Sequence, residues 1–293
     1  MYIFPLAATL VSLVFSGLVL RQYIDKRRAY QLAWSVALLM FGIASLAETI
    51  AVAGTWNELL VKTWYLFGAM LVVGYLAVGS LYVADPRTAS RLLIVGVVLT
   101  MLGPILPMIV FSKTAPSAEK LQTGLIFGVV AIILVALAWL WDRPGTVWLC
   151  TMIAASAASA VMLANAPVNS ASVAAKGWEA MDRSLVMKAT VASINTLGSV
   201  VLIGGALYSA WVLMRKHIMR ERALGSILIG VGALTNAAGG FIHGFFKIAG
   251  PAVLSISLTL GVTVMFLGFL ETGRQSSPAA ADSPSQKQPR TTA

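Results

Sequence analysis

Nine mostly apolar stretches, each long enough to cross a lipid bilayer, follow one another between residues 2 and 270 with short polar breaks between them. The hydrocarbon core of a bilayer is about 30 Å thick, and a helix of roughly 20 apolar residues spans it. A helix also satisfies its backbone N–H and C=O groups within its own segment, which lipid cannot do. The sequence therefore predicts an all-α integral membrane protein, a bundle of about nine transmembrane helices.

The composition favours one membrane domain. Hydrophobic residues make up 58% and charged residues 11% of the 293 positions, against roughly 45–50% and 25% in soluble domains. Residues 1–272 are predicted to form a single polytopic transmembrane domain. Residues 273–293 are rich in Ser, Pro, Ala and Gln and cannot bury enough apolar surface to fold, so they are predicted to be a disordered cytoplasmic tail.

The basic residues predict the orientation. Most of the 21 Lys and Arg residues fall on one side of the membrane if nine helices alternate in direction, with dense clusters at residues 21–28 and 215–222. Cytoplasmic loops are enriched in Lys and Arg, which places the N-terminus outside and the C-terminus in the cytoplasm. Seven spans remain an alternative if the sixth span and its neighbours are partly re-entrant.

The net charge of +10 is interpreted as contact with anionic lipid headgroups. Nucleic-acid binding is not expected, because no soluble basic domain exists to carry it.

Several classes of chemistry have no matching pattern. The chain has one cysteine, Cys150, and two histidines, and it contains no H-E-x-x-H, G-x-S-x-G, P-loop or Gly-rich dinucleotide motif. Neither catalytic residues, a metal site nor a cofactor is predicted, and the protein is expected to be non-enzymatic. A bis-His haem site and a retinal Schiff base are also not expected, because only His243 lies within a span and the last span has no lysine.

Glu48 is the first candidate ligand or cavity residue. It lies near the outer third of the second span, where an ionised carboxylate is costly and usually faces a cavity or a partner. Lys62, across the outer loop, is the predicted partner. Two interpretations stay open: a functional carboxylate, or one that merely reaches interfacial water.

Three further candidates are polar side chains within later spans. His243 lies among small residues in the eighth span and is expected either to line a cavity or to hydrogen-bond to a neighbouring helix. Asn195 in the seventh span and Asn236 in the eighth need partners in a medium without water, and bonds between helices are the default explanation.

Two segments predict irregular helices. Residues 103–107, Gly-Pro-Ile-Leu-Pro in the fourth span, and the Gly239–Gly240 step in the eighth are each expected to weaken or kink a helix. Broken helices expose backbone groups that coordinate substrates in many transporters.

Aromatic side chains near span ends are interpreted as an interfacial belt and not as a ligand cage. This set consists of Trp56, Trp64, Trp139, Trp141, Trp148 and Trp211. In the long polar segment between the sixth and seventh spans, Trp178, Met181 and Leu185 have helical spacing. This spacing predicts either a short interfacial helix or an ordinary connecting loop.

Several segments carry a resemblance to known proteins. They are residues 33–35 (Ala-Trp-Ser), 54–56 (Gly-Thr-Trp), 64–69, 79–82, 177–179 (Gly-Trp-Glu) and 204–209. In these segments the chain resembles a group of uncharacterised bacterial polytopic membrane proteins, and the resemblance implies no activity. The first three spans also resemble the multi-span N-terminal sensor region of bacterial histidine kinases, from which the chain differs in having no kinase or other output domain after the ninth span.

Two functions are weighed on this basis. The first is a multi-pass protein of the bacterial plasma membrane that binds a lipid or small apolar ligand and acts as a sensor or accessory module through a partner membrane or signalling protein. The alternative is a small-solute secondary transporter with a site between broken fourth and eighth helices.

Overall fold

A computed structural model describes residues 2–111, 117–215, 220–246 and 251–273, and of residues 103–111, 220–221, 243–246, 251–252 and 273 it describes the backbone only. The described residues are almost entirely helical and contain no β-strand. The α-helices are α1 (Ile3–Lys26), α2 (Ala29–Ala53), α3 (Glu58–Trp64), α4 (Val72–Val83), α5 (Pro86–Phe111), α6 (Ala118–Leu140), α7 (Pro144–Ala164), α8 (Val173–Lys176), α9 (Leu185–Arg215), α10 (Arg220–Phe246) and α11 (Pro251–Gly273). The predicted disordered tail lies outside the described residues, apart from Gly273, which ends α11.

Long helices confirm the membrane class. Within the described residues, eight helical runs are long and apolar enough to cross a membrane. The chain is therefore a multi-pass, all-α membrane protein. The fourth predicted span corresponds to α5, a helix of 26 residues whose last nine residues are described by their backbone alone.

The third span is one helical run with a wider segment inside it. Helix α3 continues through a π-helical segment, Tyr65–Leu71, into α4, and the backbone N–H of Val72 donates to the carbonyl of Phe67, five residues earlier. Asn57 begins the run, since its side chain accepts a hydrogen bond from the N–H of Leu60 at 2.9 Å. Such π-helical segments are rare and often mark functional sites.

Helices α1 and α2 form an antiparallel pair held by small polar residues. The hydroxyl of Ser16 donates to the carbonyl of Ser35 at 2.8 Å, and the hydroxyl of Ser35 donates to the carbonyl of Ser16 at 3.1 Å. Small side chains let two backbones approach closely in a membrane. We name the two ends of the bundle after α1: the Ile3 end and the Lys26 end.

Helices α10 and α11 pack through glycines seven residues apart. A methyl group on Gly232 would lie 2.5 Å from the carbonyl oxygen of Gly261, and one on Gly268 would lie 2.6 Å from that of Gly225. A period of seven keeps the small residues on one side of each helix, where the two helices meet. These glycines therefore allow backbone-to-backbone contact.

The predicted irregularities in the fourth and eighth spans are not present as helix breaks. Helix α10 continues through Gly239 and Gly240, where Gly239 packs against Ser257 of α11. The backbone of α5 is likewise helical through residues 103–107. Close packing of α11 against α10 explains why Gly239 does not interrupt that helix. The prediction of a broken helix is therefore wrong at both places, whereas a bend within a continuous helix stays a prediction.

The segment between α7 and α9 does not form the predicted interfacial helix. It contains the single turn α8 and a 3-10 turn, Gly177–Ala180, and Val168 pairs with Met181 in an isolated antiparallel bridge. Leu185 already belongs to α9. Gly177 has φ +57°, and a side chain there would meet the ring of Trp56 at 3.1 Å. The alternative of a connecting loop is the one that the structure supports.

Candidate functional site

Glu48 lies at the Ile3 end, where three helices meet. Its carboxylate accepts a hydrogen bond from the indole N–H of Trp64 in α3 at 3.1 Å and a short one from the hydroxyl of Ser255 in α11. The side chain is half-buried. Both carboxylate oxygens therefore have donors, so the arrangement stabilises a half-buried acidic group.

The predicted partner of Glu48 is wrong. The ammonium group of Lys62 pairs with Glu58, one turn earlier on the same helix, at 2.7 Å, and donates to the carbonyl of Ala164 at 3.2 Å. A spacing of four residues places Glu58 and Lys62 side by side on one helix face. Lys62, in the last turn of α3, thus links this helix to the end of α7.

Aromatic side chains connect Glu48 to the loop that precedes α9. The ring of Trp178 stacks on Trp64 with centroids 5.4 Å apart and planes 17° apart. The guanidinium of Arg183 lies 5.0 Å from the centre of Trp178, within cation–π range, and its charge acts on the nearby Tyr65 hydroxyl. The loop is therefore fastened over the π-helical segment by stacked rings and one cation.

The prediction of an interfacial aromatic belt is wrong for two of its tryptophans, Trp64 and Trp148. Trp139, Trp141 and Trp211 are more than half exposed, as lipid-facing belt residues should be. Trp64 and Trp148 are only 7% and 3% exposed. These two rings belong to the interior because each indole N–H has a partner on another helix.

The π-helical segment and α4 accept hydrogen bonds from several neighbouring helices. The amide of Asn195 in α9 donates to the carbonyl of Ala69 at 2.7 Å. The indole of Trp148 in α7 donates to the carbonyl of Gly74 at 3.0 Å, and that of Trp34 in α2 to the carbonyl of Leu76 at 3.0 Å. Asn195 therefore links α9 to the π-helical segment by a hydrogen bond, as the default interpretation of the sequence predicted.

Asn236 takes a different place, between α10 and α11. Its amide oxygen is buried and has no hydrogen-bond partner among the described residues. It lies over Gly261, close to where a side chain at that position would begin. A Cα hydrogen of Gly261 points in that direction, and such a hydrogen is a weak donor. Asn236 therefore specifies a glycine at position 261.

The predicted candidates do not form one site. Glu48 bonds to α3 and α11, Asn195 bonds to the π-helical segment, and Asn236 contacts Gly261. His243 lies on α10, and its side chain is outside the described residues.

A cavity that the sequence interpretation missed lies toward the Lys26 end. It has a volume of about 170 Å³, is lined by residues of α1, α2, α4, α9, α10 and α11, and is partly open to its surroundings. All of its described lining residues are uncharged. Large apolar side chains around it include Phe15, Trp34, Leu76, Leu202, Met265 and Phe269.

Four hydroxyls interrupt this apolar lining: Ser80, Ser209, Ser226 and Thr272. Ser80 donates to the carbonyl of Leu76 at 3.3 Å, and Thr272 donates to that of Phe269 at 2.7 Å. Within the described part of the chain, the hydroxyls of Ser209 and Ser226 make no hydrogen bond. These two hydroxyls are available to a ligand.

One sequence signal for the cavity exists in retrospect. Gly205, Ala206 and Ser209 are small residues within about one turn of α9, and all three line the cavity. Ser226 adds another small residue from α10. Small residues on facing helices leave space when the backbones stay apart. The sequence does not say which helices face each other, so this signal alone could not locate a cavity.

No protein-family model, no curated protein and no solved structure matches this chain.

Proposed function

We propose that this protein is a non-enzymatic, multi-pass protein of the bacterial plasma membrane that binds a small apolar ligand or a lipid chain in the cavity at the Lys26 end. In this proposal it works as a sensor or accessory module, passing its bound state to a partner membrane or signalling protein. The observation that carries the proposal is the uncharged cavity of about 170 Å³ between six helices.

The size and lining of the cavity favour hydrocarbon. An engineered apolar cavity of about 150 Å³ in another protein stays dry and binds benzene. The present cavity has a similar volume, enough for one ring or the end of one chain. Aromatic walls from Phe15 and Trp34 make favourable contacts with either.

Ligand binding in this cavity could change how the surrounding helices are arranged. Residues from α1, α2, α4, α9, α10 and α11 all touch the same space, so a ligand contacts helices that are far apart in the sequence. A ligand that binds one arrangement of these helices more tightly than another shifts the population between them. A partner protein that binds one arrangement more tightly would respond to this shift.

The proposed topology has nine spans, with α5 added to the eight confirmed runs. Basic residues gather at the Lys26 end: Arg21, Lys26, Arg27, Arg28, Arg87, Arg91, Arg143 and Arg215. The bias of Lys and Arg toward the cytoplasm supports a cytoplasmic Lys26 end and an external N-terminus. In this orientation the cavity lies in the cytoplasmic half of the bundle, near anionic headgroups.

Native mass spectrometry of the protein, gently extracted from its own membrane, tests the proposal. We expect a retained apolar molecule and a stoichiometric partner polypeptide. Gly205→Leu should lose the molecule, because a methyl group at Gly205 has 3.7 Å of clearance and the rest of the leucine would fill the cavity. Gly17→Leu is the matched control, since nothing lies within 4 Å of a methyl group there. Equal retention in both variants would contradict the proposal.

The alternative, a small-solute transporter, now depends on Glu48. Carriers often bind their coupling ion at carboxylates within the membrane, and Glu48 bridges α3 and α11. Solute uptake into vesicles that is lost in Glu48→Gln and kept in Gly205→Leu would favour transport over the proposed function.

A further inference from the structure

We infer that the ligand of the cavity at the Lys26 end is an uncharged single-chain lipid with a hydroxyl head, of the class of long-chain alcohols and monoacylglycerols. This inference rests on the proposed function and narrows it to one chemical class. The head is placed toward the Lys26 end and the chain toward the middle of the bundle.

Charge is the first selector. Every described residue that lines the cavity is neutral, so a charged headgroup seated within the lining would have no opposite charge among those residues. Moving an unpaired carboxylate or phosphate from water into such surroundings is strongly unfavourable. A fatty acid or an intact phospholipid headgroup is therefore a poorer match than a neutral one.

The distribution of polar groups gives the direction. Ser209 lies seven residues beyond Leu202 on α9, and Thr272 lies seven beyond Met265 on α11, which is about 10 Å along a helix. In both helices the hydroxyl is nearer the Lys26 end and the apolar residue nearer the bundle centre. On α9 and α11 the lining is therefore polar toward the Lys26 end, whereas at the end of α4 apolar Val83 and Ala84 lie beyond Ser80.

Hydrogen-bond capacity selects the head. Ser80 and Thr272 already use their O–H groups on backbone carbonyls, so toward a ligand each has only acceptor capacity left. Only a ligand with a donor can use this capacity, and neither a carboxylate nor an ester carbonyl has one. Ser209 and Ser226, without partners among the described residues, are able to donate or accept. A hydroxyl head donates once and accepts up to twice, so it can pair with one of the two acceptors and also with Ser209 or Ser226.

A further buried acceptor lies at the same end. Gln31 is 2% exposed, and its side-chain oxygen has no hydrogen-bond partner among the described residues. Gln31 is three residues before Trp34, so the two share one face of α2. The side-chain oxygen of Gln31 is therefore an unpaired acceptor one turn from the residues that line the cavity.

Photo-crosslinking with matched probes tests the inference. The full-length protein in detergent is exposed to a long-chain alcohol, the fatty acid of equal length and the corresponding alkane, each with a diazirine near the far end of its chain. Labelled peptides are then identified by mass spectrometry. We expect the alcohol to label peptides of α4, α9 and α11 at the cavity at least about fivefold more efficiently than the acid, corresponding to one satisfied buried hydrogen bond.

Two variants test the role of the hydroxyls. Thr272→Val and Ser226→Ala should reduce the preference for the alcohol over the alkane several-fold while leaving alkane labelling unchanged. Thr263→Val is the matched control for Thr272, because Thr263 is on the same helix and donates to its own backbone, at the carbonyl of Thr259. Retained alkane labelling shows that each variant still folds.

The outcomes separate the two proposals. If none of the three probes labels the cavity, the proposed function is wrong. If all three label it equally, the cavity binds chains and only the hydroxyl-headed class is wrong. A preference for the alcohol that is unchanged in Thr272→Val and Ser226→Ala would also overturn the inference, because the head would then be recognised elsewhere.

Discussion

The indole N–H of Trp64 donates a hydrogen bond to the carboxylate of Glu48 at 3.1 Å, and the ring of the same side chain stacks on Trp178. One side chain thus joins the acidic group of α2 to the loop that precedes α9. Ser255 completes the site from α11. The Ile3 end of the bundle is held together by this cluster.

Replacing Trp64 with phenylalanine should lower stability. Phenylalanine keeps a ring for stacking and removes the N–H, leaving one oxygen of the half-buried Glu48 carboxylate without its donor. We expect a loss of about 1–2 kcal/mol of unfolding free energy, measured by thermal or denaturant unfolding in detergent. Trp139→Phe is the control, because Trp139 is 80% exposed. Equal stability of the two variants would show that the hydrogen bond to Glu48 contributes nothing.

Trp148→Phe should also destabilise the protein, for a related reason. The Trp148 indole is 3% exposed and donates to the carbonyl of Gly74 at 3.0 Å. The smaller ring leaves both a void and a carbonyl without this partner, so a loss of about 1–3 kcal/mol is expected. The same unfolding measurement checks it, with Trp211→Phe as the exposed control. A Trp148 variant as stable as wild type would contradict the interhelical role of this indole.

The sequence predicts the membrane class well because hydrocarbon imposes a simple requirement. Each spanning helix must be long and apolar, and this pattern is local in the chain. Asn195 was also correctly interpreted, since an amide in a span needs a partner and the nearest partners are other helices. What residue type and spacing dictate locally could be predicted.

Contacts between distant segments could not be predicted in this way. Ser255 is 207 residues from Glu48, and nothing local links them, whereas the nearby Lys62 is an obvious but wrong partner. The cavity depends on six helices meeting, which no single segment encodes. The glycines of α10 were interpreted as breaks because their effect depends on α11, which packs against them and keeps the helix regular.

Glycine packing between α10 and α11 predicts that alanine substitutions at two glycines of α10 will affect stability differently. Gly232→Ala should destabilise the protein by about 1–3 kcal/mol, because its methyl group would lie 2.5 Å from the carbonyl oxygen of Gly261 and force the helices apart. Gly240→Ala, on the same helix, has nothing within 4 Å of the added methyl group. It should be neutral or stabilising by up to about 1 kcal/mol, because alanine favours helix.

Thermal unfolding of the two variants side by side checks this prediction. Gly268→Ala should behave like Gly232→Ala, since its methyl group would lie 2.6 Å from the carbonyl oxygen of Gly225. A Gly232 variant at least as stable as the Gly240 variant would mean that α10 and α11 do not pack backbone to backbone.

The stability of the first turn of α5 should depend on pH through Asp85, which lies between the spans. Hydrogen bonds from the Thr88 side chain and backbone N–H lower the pKa of Asp85 from its usual value, the backbone bond measuring 3.1 Å. A carboxylate with a lowered pKa stabilises the folded state above its unfolded pKa of about 3.9. This stabilisation is lost as the pH falls below that value and through the folded-state pKa.

Amide hydrogen exchange at the start of α5 measures this effect. Exchange of the Thr88 amide in Asp85→Ala, relative to wild type at the same pH, should be several-fold faster near neutral pH, because the helix loses its N-terminal cap. The ratio should approach one in acid, where the wild-type carboxyl is protonated. Asp85→Asn keeps an acceptor that does not titrate, so its protection should change little with pH. A wild-type protein whose Thr88 protection stays constant through this range would show that the Asp85 carboxylate does not cap α5.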